Sequence, residues 1–181
     1  RLPHAWLITG PPGIGKATLA YRCARFVLAG GGAGQGPDLF GAAATPSSLH
    51  LDPGHGVFRQ VASGGHPDLR VVERGADEKT GKPRSEIIVR DVRALGDFLH
   101  MTAGAGGWRV VIVDPVDDLN RNAANALLKL LEEPPARALL LLVCHAPGGV
   151  PATIRSRCCH LALSPLPEAD VMSLLASHMP E

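Results

Sequence analysis

The chain is short of aromatic residues, of net charge and of long apolar runs. Aromatics make up 4% of its 181 residues, so aliphatic side chains must fill any core. Lys and Arg number 18 against 17 Asp and Glu; a net charge of +1 gives no global basic field of the kind that marks nucleic-acid binders. No apolar stretch nears the roughly 18–20 residues of a membrane span, and no signal peptide is visible, although the chain starts at Arg1 and not at Met. The four cysteines (Cys23, Cys144, Cys158, Cys159) form no CxxC pair. That argues against a disulfide scaffold and a Cys-ligated zinc site, and it fits a reducing cytoplasm. Internal repeats are lacking too.

What is present is a 45% apolar fraction beside 21 Gly and 16 Pro, a sound core joined to much loop material. Residues 5–9 (AWLIT), 108–114 (WRVVIVD) and 138–143 (ALLLLV) are apolar at nearly every position, without alternation. Strands buried on both faces read this way and point to a parallel sheet covered by helices. Residues 69–73 and 159–163 are shorter candidates of the same kind. Helical spacing appears at 16–29 (Leu19, Cys23, Phe26, Val27), 89–101 (Val92, Leu95, Leu99) and 122–133 (Ala123, Ala126, Leu127, Leu130, Leu131). Pro134-Pro135 stops the last of these, and Pro167 opens a fourth helix with Glu168 and Asp170 in its first turn. Strands alternating with helices predict a three-layer α/β/α architecture. Loop material concentrates in 30–66, a flexible insertion with one helical turn at 57–62, and in 75–83, a charged flexible connector.

Between the first strand and the first helix lies Gly10-Pro11-Pro12-Gly13-Ile14-Gly15-Lys16, the GxxxxGK of a phosphate loop. Gly10, Gly13 and Gly15 let the backbone curl its N–H groups toward phosphate oxygens, the helix N-terminus adds a positive dipole, and Lys16 supplies a cation. The next position should carry the hydroxyl that ligates Mg²⁺, and it is Ala17. Thr18 lies about 100° further round the helix and cannot simply take over. Residues 110–114 (VVIVD) match the strand that ends in a metal-binding Asp, here Asp114. The residue after it should be a water-activating Glu and is Pro115, and neither Asp117 nor Asp118 has the right offset. Both changes disable hydrolysis; only the first bears on binding.

The stretches at 1–20, 66–69 (HPDL), 125–135 (NALLKLLEEPP) and 152–158 (ATIRSRC) together resemble the delta prime subunits of bacterial DNA polymerase III clamp loaders. These belong to the AAA+ family, with gamma/tau and the replication factor C small subunits as looser relatives. The resemblance runs from about residue 2 to residue 166 in AAA+ order. It implies an AAA+ P-loop core over 1–164, the start of a small helical lid at 165–181, and a collar domain absent from these residues. Arg157 of Ser156-Arg157-Cys158 is then an arginine finger acting in trans on a neighbouring subunit's ATP, the chain's one catalytic residue. The nucleotide-binding positions are Gly10, Gly13, Gly15, Lys16, Ala17, Thr18 and Asp114. Cys144-His145 stands where ATPase relatives place a phosphate-sensing Thr.

Departures sharpen this expectation. Relatives often carry a Cys-rich zinc module where 30–66 has no Cys, and His50, His55 and His66 are irregularly spaced, so no metal is expected. The implied role is a non-motor, stator-like subunit with weak or no ATPase of its own, and the sequence leaves open whether ATP still binds. Its partners would be gamma/tau and delta subunits, with the sliding clamp and primed DNA reached through the complex and no membrane contact. Arg59, Arg90 and Arg93 are candidates for DNA phosphates. Two other classes stay in view: a stand-alone AAA+ regulatory nucleotide-binding protein, and an active P-loop ATPase.

Overall fold

The computed structural model describes residues 2–30, 48–77, 80–101 and 107–178. Its elements are β1 (Ala5–Thr9), α1 (Lys16–Leu28), α2 (Gly56–Ala62), β2 (Leu69–Val72), α3 (Val89–His100), β3 (Arg109–Val113), α4 (Arg121–Glu132), β4 (Ala138–Cys144), α5 (Ala152–Arg155), β5 (Cys159–Ala162) and α6 (Glu168–His178). The strands form one sheet in the order β2-β3-β4-β1-β5, and every pairing is parallel. Each crossover therefore needs a connection long enough to return over a face, which puts helices on both sides. The α/β/α class expected from the apolar runs is the one observed. None of the described helices is long and apolar enough to cross a membrane.

The two faces differ in how closely their helices approach. On one, α1 buries Ala20 and Ala24, with Leu19, Cys23 and Val27 only partly covered. The periodic large residues suggested the reverse, but small side chains let the helix axis sit close to Ile8, Leu139 and Leu141. On the other face, α3 buries Val92, Leu95, Phe98 and Leu99, and α4 buries Ala123, Ala124, Leu127 and Leu131. Asn120 starts α4 by accepting the Ala123 N–H at 2.9 Å, and Glu133 ends it before Pro134. Burying the seven residues of β4 and the five of β3 on both faces accounts for their unbroken apolar runs.

Two expectations change. The segment 159–163 reads as a buried strand, yet β5 is mostly exposed, because it is an edge strand paired with β1 alone. The connector at 75–83 is folded back on itself in its described part: Asp77 N donates to Lys82 O and Arg84 N to Gly75 O, both at 2.8 Å. Asp77 Oδ1 accepts from both the backbone N and the hydroxyl of Thr80, so the charge there closes a turn. Of the insertion at 30–66, residues 31–47 lie outside the described residues, and 48–66 holds α2.

Candidate functional site

The phosphate loop occupies the C-terminal edge of the sheet, where β1 ends and α1 begins. Gly10 has φ 146°, and a Cβ there would sit 2.5 Å from Leu163 O and 2.6 Å from Ile14 Cδ1, so glycine is required by both conformation and space. Gly15 caps α1 in the left-handed region at φ 92° and provides no side-chain cap. The helix's first N–H groups therefore point into the loop without a side-chain acceptor. Lys16 is buried, 3% exposed, and its ammonium donates to Gly10 O at 2.7 Å and Pro11 O at 2.6 Å. The cation is held at the centre of the curl it would offer to a phosphate.

Facing it, Asp114 follows β3 and fixes its backbone by donating N–H to Val72 O at 2.9 Å. Burial pushes its carboxyl above the usual aspartate range; His145 and Lys16 pull it back, while Asp117 and Asp118 push it further up. The His145 ring lies 3.9 Å from Asp114. Asp117 makes two bonds the sequence does not advertise: its carboxylate accepts the N–H groups of His145 at 2.9 Å and Ala146 at 3.1 Å. This clamps the loop after β4 to the loop after β3. The Cys144 thiol is pushed up to about 12, chiefly by burial and then by Asp117, so it stays neutral and inert.

The backbone cradle suits a phosphate, but the donor set does not suit its metal. Ala17 is half-buried without an oxygen, Thr18 is exposed as its helical offset predicts, and Pro115 has no carboxylate. Asp114 keeps its acid but shares its surroundings with a histidine.

Arg157 sits elsewhere. The register pairs Trp6 with Cys159 and Thr9 with Ala162, so the turn carrying Arg157 lies at the N-terminal edge of the strands and the phosphate loop at the C-terminal edge. At about 3.3 Å per residue the strands alone separate the two levels by roughly 10 Å. The half-exposed Arg157 guanidinium donates from Nη1 to Thr153 O at 2.9 Å and pairs through Nη2 with Glu132 Oε1 at 2.9 Å. Glu132 reads in the sequence as a helix-closing residue; its pairing across 25 positions has no local signal.

The remaining candidates separate. Arg59 belongs to α2, which packs beside α1, whereas Arg90 and Arg93 begin α3 on the opposite face, so the three do not make one stripe. His55 Nδ1 accepts the Val57 N–H at the start of α2, and His66 Nδ1 accepts the Asp68 N–H. Burial holds the His66 ring below the ordinary histidine value. Arg109, which no motif points to, is buried with its guanidinium over the Phe98 ring and bonded to Phe98 O.

Residues 52–167 match the protein-family model described as DNA polymerase III, delta subunit. The DNA polymerase III delta prime subunit of Pseudomonas aeruginosa is 40% identical over 179 residues, covering 98% of this chain and 48% of that protein. That of Escherichia coli is 36% identical over 174 residues, covering 96% and 46%. The chain thus spans about half the length of the curated relatives it matches. Among solved structures, a DNA polymerase III gamma subunit-related protein from Thermotoga maritima has the same fold, with a TM-score of 0.64, 20% identity, and coverage of 96% of this chain and 45% of that one.

Proposed function

The chain belongs to the delta prime family of DNA polymerase III subunits, and from that premise we propose that it is the non-motor member of a clamp loader. In this reading it does not turn over ATP and instead lends Arg157 to the ATP site of an adjoining gamma/tau-type subunit. The observation that carries the reading is the separation of its two candidate sites. The phosphate loop lacks the metal's oxygen at Ala17 and the base at Pro115. Arg157 lies at the other edge of the sheet, where it cannot serve its own loop. A guanidinium there is permanently charged, half-exposed and forked for phosphate oxygens. Such fingers contribute roughly 10³–10⁵ in rate when a partner supplies them.

The rest of the chain agrees with this division of labour. The clamp of Asp117 on His145 and Ala146 stiffens the loops around a site that no longer needs to move. After β5, α6 exposes Val171, Met172, Leu174 and Leu175, as the first helix of a lid would before its neighbours pack on it. Cytoplasmic replication work, with delta and gamma/tau as partners and the sliding clamp and primed DNA as the shared substrate, follows from the same reading. Co-purification of the full-length protein with gamma/tau and delta subunits tests it. A stoichiometric complex is expected, with no turnover by the isolated chain; turnover near 1 s⁻¹ by the chain alone, an ordinary enzyme rate, would make it a motor.

A further inference from the structure

We infer that Glu132 is the positioning residue for Arg157. The inference rests on the finger reading above and adds to it a residue 25 positions upstream, on another helix. Two acids close α4, at its C-terminal end, where the helix dipole disfavours negative charge. Helix capping therefore does not explain Glu132, while the Arg157 guanidinium at 2.9 Å offsets its charge.

The platforms carrying the two side chains are rigid. Leu131, next to Glu132, is buried, and its carbonyl accepts a hydrogen bond from His4 Nε2 at 3.2 Å, which ties the end of α4 to the entry of β1. Ile154 of α5 is buried in the same core cluster as Leu131, so the turn bearing Arg157 and the end of α4 are fixed against one another. On that frame the guanidinium is held along its own turn by Thr153 O and across the helices by Glu132. Nη1 also lies 3.5 Å from Ser156 Oγ. With Nη1 on Thr153 O and Nη2 on Glu132 Oε1, the guanidinium keeps further N–H donors for phosphate oxygens. A long arginine side chain left to itself would spread over many rotamers; here one is selected before the neighbouring nucleotide arrives. A half-exposed pair with a single carboxylate is weak enough that a polyanionic phosphate is not outcompeted.

The test is a double-mutant cycle in a reconstituted loader built with the full-length protein, in which hydrolysis is silenced at every ATP site but the one Arg157 faces. Glu132→Gln is expected to lower DNA-stimulated kcat roughly two- to fivefold, with KM for ATP unchanged. In an Arg157→Ala background the same change should do nothing more, which a merely structural role would not produce. Glu132→Asp should recover part of the loss. Unchanged or faster hydrolysis by Glu132→Gln, or an equal drop in both backgrounds, overturns the positioning role while the finger stands. Full activity in Arg157→Ala overturns the finger itself.

Discussion

Replacing Lys16 with methionine separates the two uses a phosphate loop could have in this chain. Methionine keeps the apolar stem in its buried slot and removes the ammonium. Two hydrogen bonds are lost, to Gly10 O at 2.7 Å and Pro11 O at 2.6 Å. Bonds to a charged donor contribute about 1.5–3 kcal/mol each when fully buried. Two effects reduce that sum. Pro11 is exposed, so its carbonyl regains water, and the variant no longer desolvates an ammonium ion. A net loss of about 1–2 kcal/mol remains, which lowers Tm by roughly 2–8 °C for a chain of this size. Thermal unfolding of this 181-residue chain with and without the substitution measures it. In the assembled loader the same variant should hydrolyse ATP within about twofold of the parent, because the proposed function gives Lys16 no part in the chemistry. An unchanged or raised Tm would refute the structural tie. A tenfold or greater fall in loader ATPase, with assembly intact, would show that this chain's own site takes part in turnover.

Two further outcomes follow from the titrating groups. Burial raises the Asp114 carboxyl above its ordinary 3.8, so the folded state binds more protons than the unfolded one between those two values, and stability falls as pH rises through that window. Asp114→Asn should therefore be more stable than the parent at pH 7, with the difference vanishing below the ordinary value; denaturant midpoints across that range decide it, and a less stable variant at pH 7 contradicts the sign. Among the thiols, Cys159 is exposed whereas Cys144 and Cys158 are pushed up to about 12 and about 11 by burial. Alkylation at pH 8 followed by mass mapping should label Cys159 first, and equal labelling of Cys144 would show that β4 does not bury it.

The core strands and the phosphate loop were legible because their signals are local. An unbroken run such as 138–143 reads as a strand covered on both faces, and GxxxxGK announces a curl between strand and helix. The stop at Pro134 is equally visible, since a proline acts within one turn, whereas the Asn120 cap that starts the helix at Arg121 is seen only in the structure. What stayed hidden depends on the return of the chain. Residues 159–162 have the composition of an inner strand, and their edge position follows only from the sheet order. Arg109 looks like a strand-end charge until Phe98 and Asp68 close over it. Asp117 lacks the offset of a catalytic acid in the sequence, and the fold shows what it does instead: it holds two N–H groups of a loop 28 and 29 residues away. Glu132 has the same character, because nothing in LEEPP indicates that α5 brings an arginine to it.

The central claim is that Arg157 completes a catalytic site on another subunit while its own chain's site stays silent. Single-turnover ATP hydrolysis by a reconstituted loader with one competent site, the one facing this subunit, tests it most directly. Arg157→Ala should slow that turnover by about 10³-fold or more while leaving the complex assembled. Hydrolysis within twofold of the parent, from an intact complex, would contradict the claim.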